Sequence, residues 1–294
     1  LLDDKNIFVE NRTKPIDQDT PLISKGCYIT DKGHYTFKLE EKNEFIKKEP
    51  LSEKWFRPIY GGDEFIRRTN KYILFLKECP PQEIKKMKLV QERIKKVKEF
   101  RENSNRPSTK RIAAYPIHFE TENIPKKGMF YIVIPGVSGG NRDYIPIGYE
   151  EGTRIPNQKV FIVQKNVSLY HFGILNSKMH MLWAMTVSGK KGDSYSYLAN
   201  AYNNFIWPNA SEVQKNKIEK KALEIIDIRK KFFEKDSTYN DLYDPLSMPM
   251  ELLKAHHQLD VLVEKAYKSK KFDDDNERLS YLFHLYDKDI NKNK

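Results

Sequence analysis

The chain is short of cysteine, of uninterrupted apolar sequence and of catalytic motifs, and each shortage closes a class of function. Cys27 and Cys79 are the 2 cysteines in 294 residues. They are too few for a disulfide framework and lack metal-ligand spacing, which fits a reducing, cytoplasmic setting. The sequence opens at Leu1 without a methionine, and no signal-peptide pattern is seen there. The most apolar stretch, Leu169 to Met185, is interrupted by His171, Asn176, Ser177, Lys178 and His180. It falls short of the roughly 20 apolar residues that span a bilayer, so no membrane partner is expected. There is no Gly-Lys-Ser/Thr phosphate loop, no His-Glu-x-x-His, no Gly-x-Ser-x-Gly and no Cys-x-x-Cys. His171 and His180 stand half a helical turn apart, poor geometry for one metal, and His256 and His257 diverge. Asp241, Asp244 and Glu251 have no lysine at nuclease-like spacing. Neither a catalytic residue nor a metal site is expected, and the histidines read as structural.

What the chain has in excess is positive charge. The net charge is +11, yet from Ile206 to Lys294 17 Lys and Arg balance 17 Asp and Glu. The whole excess therefore lies in residues 1–205. A basic body joined to a neutral tail is expected where one part meets a polyanion and the other does not. The plainer alternative is a lysine-rich surface that reflects overall composition.

The chain is organised around Leu169 to Pro208. An apolar segment reads as a buried core helix, with Gly173 allowing close approach of another backbone. A polar loop, Ser188 to Ser194, follows, and then the aromatic run Tyr195, Tyr197, Tyr202, Phe205 and Trp207. Before this, Trp55 to Leu76 reads as strand, turn, strand around Gly61-Gly62-Asp63. Gln82 to Asn103 reads as one amphipathic helix, with Ile84, Met87, Val90, Ile94, Val97 and Phe100 inward and lysines outward. Arg111 to Val163 reads as a sheet built from RIAAYPIHF, GMFYIVIP, YIPIGY and KVFIV. After Pro208, Ser211 and Gln214 form a capping box that starts a helix running to about Phe233. Two further helices begin near Pro249 and Asp273 to Asp275. The expected class is α+β: a mixed, mostly antiparallel sheet domain with a long basic helix and a buried core helix over residues 1–205, then a small all-α domain over 206–294.

Three groups of residues are suited to a polyanion. Lys190, Lys191, Asp193 and Ser194 lie in the loop after the core helix. Ser138, Asn141 and Arg142 lie in the glycine-rich Gly136–Arg142 loop, which lacks dinucleotide-binding spacing. The cluster Arg57, Arg67 and Arg68 carries guanidinium forks that match phosphate or guanine, or else pair with Asp63 and Glu64, and Arg154 is a further candidate.

Ordered short motifs along the whole chain resemble the C-terminal part of MmeI-like type IIL restriction-modification enzymes and their methyltransferase relatives. Gly26 to Leu39 is similar to a Gly-x-x-Pro-x-Asp-Gly-Gly segment, with Ile29 for the proline and Lys32 for a glycine. Gln91 to Ile94, Arg101 and Ser104 fit the frame of the family's basic helix. Ile134 to Ile147 resembles Pro-x-Val-Ser-x-x-x-Arg-x-Tyr-Ile-Pro. Phe172 to Trp183 resembles F-G-x-L-x-S-x-M-H-x-x-W. Tyr202 to Pro208 resembles Y-N-x-F-P-W-P, with Ile206 for the first proline. Leu242 to Pro245, Met248-Pro249, Glu251-Leu252, Ala255-His256, Leu259-Asp260, Arg278 and Leu282-Phe283 resemble the tail.

The resemblance implies a target-recognition domain and a helical C-terminal domain that bind double-stranded DNA. The catalytic methyltransferase region would precede them in the same protein. S-adenosylmethionine is implied for that parent enzyme, which would methylate adenine N6. No cofactor is expected in this part, because the Asn-Pro-Pro-aromatic motif and the methyl-donor glycine loop are absent. Two other readings stay open: a non-catalytic RNA-binding or protein-docking module, with the Tyr195–Trp207 aromatics stacking on single-stranded bases, and a small metal-dependent nuclease.

Overall fold

The computed structural model describes residues 7–292, which form two compact units. The smaller comprises Lys25–Met129 and Glu151–Val160. The larger comprises the residues up to Ser24, Phe130–Glu150 and those from Phe161 onward. Antiparallel pairing dominates the strands whose register is defined, and a helical region ends the chain.

In the smaller unit a sheet runs in the order Thr36–Phe37, Lys71–Leu74, Phe56–Tyr60, Ile155–Pro156, antiparallel except for the last pair. Its apolar side chains, with Phe45, Met87, Val90 and Val97, make one core. A short helix, Gly62–Ile66, stands where a simple turn was expected, because Glu64 accepts from the Gly61 N–H at 2.9 Å and closes the first turn. The basic helix also departs from expectation. It is two pieces, Pro81–Ile84 and Lys88–Glu102, interrupted at the extended, fully buried Met87. Glu49 accepts from the Leu89 N–H at 2.8 Å, so a carboxylate serves the free start of the second piece.

RIAAYPIHF is not a strand. It starts at the last residue of the helix Pro107–Arg111 and continues as a single 3-10 turn, Ile112–Ala114. One cause is Arg101, fully buried on the basic helix. Its guanidinium donates to the carbonyls of Ile29, Thr30, Ile112, Tyr115 and His118 at 2.9–3.3 Å. Carbonyls that would enter a ladder are taken by one side chain. Thr30, Lys32 and Gly33 all lie at φ between +53° and +80°, around an Asp31 carboxylate that accepts from the N–H groups of Gly33 and Tyr35.

In the larger unit one sheet has the order Ile23–Lys25, Val160–Val163, Phe130–Pro135, Gly148–Glu151. The segment expected to be a single core helix is two helices, Leu169–Leu175 and Lys178–Ser188. The polar pair between them explains the break. Asn176 returns its amide to the Phe172 carbonyl at 2.8 Å, and the Ser177 hydroxyl accepts from the His180 N–H at 3.4 Å. Gly173 admits a neighbour as expected: a Cβ there would lie 2.6 Å from Ile218 Cγ2.

The Glu212–Phe233 helix packs on both Leu169–Leu175 and Met250–Tyr267, and Asp275–Lys292 packs on Lys178–Ser188. The Ser211–Gln214 capping box is present. The three C-terminal helices thus share their core with the two core helices. A buried network runs through it. Arg229 donates to the Ile147 carbonyl at 2.7 Å, to Asn176 Oδ1 at 2.8 Å and to the Tyr243 hydroxyl. That hydroxyl meets His256 Nε2 at 2.8 Å, and Tyr144 donates to Asp260 at 2.6 Å. Among the described residues, no helix is long and apolar enough to cross a membrane.

Candidate functional site

The loop after the core helices is a β-hairpin. Lys190–Lys191 pairs antiparallel with Ser194–Ser196, and Val137–Gly139 adds a third strand beside Ser194–Ser196. Cross-strand neighbours are Lys191 with Ser194 and Ser194 with Gly139, then Lys190 with Tyr195 and Tyr195 with Ser138. Two segments read separately in the sequence therefore form one sheet. Local geometry explains the hairpin. Gly189, at φ +78°, ends the Lys178–Ser188 helix. Gly192, at φ +60°, takes the first central place of a two-residue turn, where the twist of the strands demands a positive φ.

The hairpin tip and the Gly136–Arg142 loop interlock. The Gly140 N–H donates to the Asp193 carbonyl at 2.8 Å. A Cβ at position 140 would lie 2.1 Å from that oxygen, so only glycine fits. Lys190, Asp193 and Asn141 are exposed and Ser194 is half-buried. The Lys190 ammonium lies 5.3 Å from the Tyr195 ring centre.

Ser138 and Arg142 are placed differently. Ser138 is 5% exposed, and its hydroxyl accepts from Arg142 at 3.3 Å. The other arm of the Arg142 guanidinium donates to Asn240 Oδ1 at 2.8 Å. Burial lowers the Arg142 pKa, and the nearby Asp244 carboxylate partly opposes this.

The remaining arginines belong to the smaller unit. Arg67 and Arg68 end the Gly62–Ile66 helix, exposed, with Arg68 at φ +52°. Arg154 donates to Asn70 at 3.1 Å and lies 4.4 Å from the Tyr60 ring centre, which brings it to the same turn. Arg57 stands apart: it faces Glu78 at 3.6 Å and covers Phe75. Glu64, a candidate partner of these arginines, is instead held by Lys71 at 2.7 Å. The lysines of the basic helix, from Lys85 to Lys98, are exposed. Two of them form loose i,i+4 pairs, Lys95–Glu99 at 3.9 Å and Lys98–Glu102 at 3.7 Å.

Two of the histidines, His180 and His256, are packed in the core. His180 is fully buried between the Leu175 carbonyl and the Tyr197 hydroxyl, and desolvation pushes its pKa down to about 4. His256 is buried between Tyr243 and the Asn176 carbonyl, and burial holds it well below its ordinary value. Of the aromatic run, Tyr197, Tyr202 and Phe205 are buried, whereas Tyr195 and Trp207 are half-buried. Among the described residues, no group of three or more His, Cys, Asp or Glu is placed to hold a metal ion.

Sequence reasoning missed Asn240, which meets Arg142 across 98 residues of sequence. It also left unused the Gly139-Gly140 pair, the one local signal of the interlock.

The family model described as MmeI, target recognition domain, matches residues 3–209, and that for the MmeI C-terminal domain matches residues 209–293. The chain belongs to the MmeI family. A curated relative, DNA methyltransferase A of Bacillus subtilis (strain 168), is 39% identical over 291 residues, covering 97% of this chain and 32% of the relative. The solved structure of the type IIL restriction-modification enzyme MmeI in complex with DNA superposes with a TM-score of 0.93 at 37% identity. That match covers 99% of this chain and 38% of MmeI. The chain thus spans about a third of the length of the MmeI-family proteins it matches.

Many residues behind the family resemblance are packing residues here. Trp183 Nε1 donates to the Ala201 carbonyl, Tyr202 to the Pro21 carbonyl, and Tyr144, Asn176, Tyr243, His256 and Asp260 make the buried network. Ile206, which departs from the family pattern, is used through its carbonyl, which accepts from Tyr267 at 2.6 Å.

Proposed function

We propose that this chain is the sequence-specific duplex-DNA recognition module of an S-adenosylmethionine-dependent adenine-N6 methyltransferase of restriction-modification type. One observation carries the reading: the hairpin and the Gly136–Arg142 loop, locked together through main-chain atoms, offer a polar, partly basic edge to solvent. The major groove, about 12 Å wide, admits a two-stranded β-ribbon. Lysine donates to guanine O6 and N7, aspartate accepts from cytosine N4, and serine and asparagine serve either role. Lys190, Lys191, Asp193, Ser194 and Asn141 are assigned to base edges and adjacent phosphates. Arg67, Arg68, Arg154, Arg57 and the lysines of Lys88–Glu102 are assigned to phosphates, where they set register and make affinity salt-dependent.

In this reading residues 1–205 recognise the target, and residues 206–294 brace them and dock on the methyltransferase region upstream. Nothing in the sequence fits S-adenosylmethionine or a flipped adenine, since the Asn-Pro-Pro-aromatic motif and the glycine loop are missing. The methyl donor and the chemistry are assigned to the rest of the parent protein. A cytoplasmic location fits two unpaired, buried thiols.

The test is selection of retained duplexes from a random pool at low and moderate salt, followed by sequencing. A short enriched motif with salt-dependent retention supports the reading. Retention without a motif assigns only a basic clamp, and no retention at low salt removes the DNA reading. Asp193→Ala is expected to alter the motif, whereas Lys95→Gln with Lys96→Gln weakens all duplexes alike; the reverse pattern would sink the assignment.

A further inference from the structure

We infer that Arg142 is a positioning residue that carries the bracing of the C-terminal region into the reading hairpin, through Asn240. The inference rests on the DNA-recognition reading above. A guanidinium in a polar loop beside the hairpin looks like a base or phosphate ligand. Its bonds run elsewhere. Nη2 donates to Asn240 on the short Tyr239–Leu242 helix at 2.8 Å, and Nη1 donates to Ser138 at 3.3 Å. Ser138 in turn faces Tyr195 across the strand pair, and two residues on Gly140 holds the Asp193 carbonyl at the hairpin tip.

The far end of this line is itself fixed. Thr238 and Asp241 cap the Tyr239–Leu242 helix reciprocally at 2.7–3.3 Å, and the next residue, Tyr243, joins the Arg229 network. A continuous chain of contacts therefore runs from the buried centre of the helical region, through Asn240 and Arg142, to the strand that registers the hairpin. Base readout fails when donors shift by about 1 Å, so such a strut governs discrimination rather than overall attraction. Asn240 is exposed, and replacing it touches neither core nor hairpin.

The experiment uses the complete parent protein and two probes, the duplex recovered by selection and a scrambled duplex of equal length. Asn240→Ala is expected to lower the ratio of the two affinities about tenfold, leaving scrambled-duplex affinity and its salt slope unchanged. Asn240→Asp, which keeps an acceptor for Arg142, is expected to retain the ratio. The strut is overturned if Asn240→Ala leaves the ratio within twofold of wild type. It is equally overturned if both affinities fall together, or if Asn240→Asp fails to rescue. A wild-type protein that does not discriminate removes the recognition reading itself, and with it the hairpin to be positioned. Discrimination by the wild type with no effect of Asn240→Ala removes only the strut.

Discussion

Each compact unit contains a fully buried arginine, and the two are used in opposite ways. Arg101 gives five hydrogen bonds, all to main-chain carbonyls. Arg229 gives one to a main-chain carbonyl and two to side chains, Asn176 and Tyr243, which continue to His256. Arg101 replaces secondary structure, since the segments it holds have no ladder of their own. Arg229 joins helices that already exist. The first arrangement depends on one side chain, and the second spreads its strength over several.

The sharpest way to break the contrast is to remove each arginine. Arg101→Met strands several carbonyls in an apolar interior and is expected to cost about 3–5 kcal/mol, read as a shift of the denaturant midpoint. Amide exchange should rise at 26–33 and 112–118, the segments it holds. Unchanged protection there would refute its role as a substitute for secondary structure.

Arg229→Met is expected to cost about 2–4 kcal/mol and to behave non-additively. A double-mutant cycle with Tyr243→Phe should give a coupling of at least about 1 kcal/mol. Simple additivity would mean that the network is only a set of neighbours.

A smaller effect separates the units by pH. Burial lowers the folded-state pKa of His171 and His180 from 6.5 to about 4 and holds His256 well below 6.5, and all three lie in the larger unit. A depressed histidine contributes stability above its unfolded value, and that contribution is lost as pH falls. Asp260, raised from 3.8 to about 6 by burial, acts in the opposite sense: its contribution is present at low pH and lost as pH rises through about 6. The histidines outnumber it, so the larger unit should loosen first between pH 6.5 and 4. His180 alone accounts for about 1 kcal/mol by about pH 5.5. Denaturant midpoints of wild type and His180→Gln across this range check the sign, and the variant should show the shallower slope.

The smallest predicted effect lies beside Arg101. Lys32 sits exposed at φ +53°, where the family pattern has glycine. Lys32→Gly should stabilise the chain by about 0.5–1 kcal/mol in a thermal melt. A loss of stability would show that the lysine side chain compensates for its backbone.

Legibility followed the range of the interactions. The Ser211 capping box and the Glu212–Phe233 helix are written within a few residues, and the structure contains both. The break at Asn176–Ser177 was hidden because the apolar pattern continues through it. RIAAYPIHF has the composition of a strand, but local turns and Arg101, on another element, take its carbonyls. The polar hairpin was legible as a loop with suitable residues. Its pairing with Val137–Gly139 and the bond from Arg142 to Asn240 were not, because no periodicity encodes which distant segment a loop will meet.

The joint between Gly140 and Asp193 uses the amide hydrogen of the first and the carbonyl oxygen of the second, which every residue at position 193 would supply. The joint is therefore indifferent to what side chain position 193 carries and intolerant of any side chain at position 140. Under the proposed reading, the vocabulary of the tip can be rewritten residue by residue while its grammar stays fixed. A new target would then need neither a new backbone nor compensating changes in the core beneath.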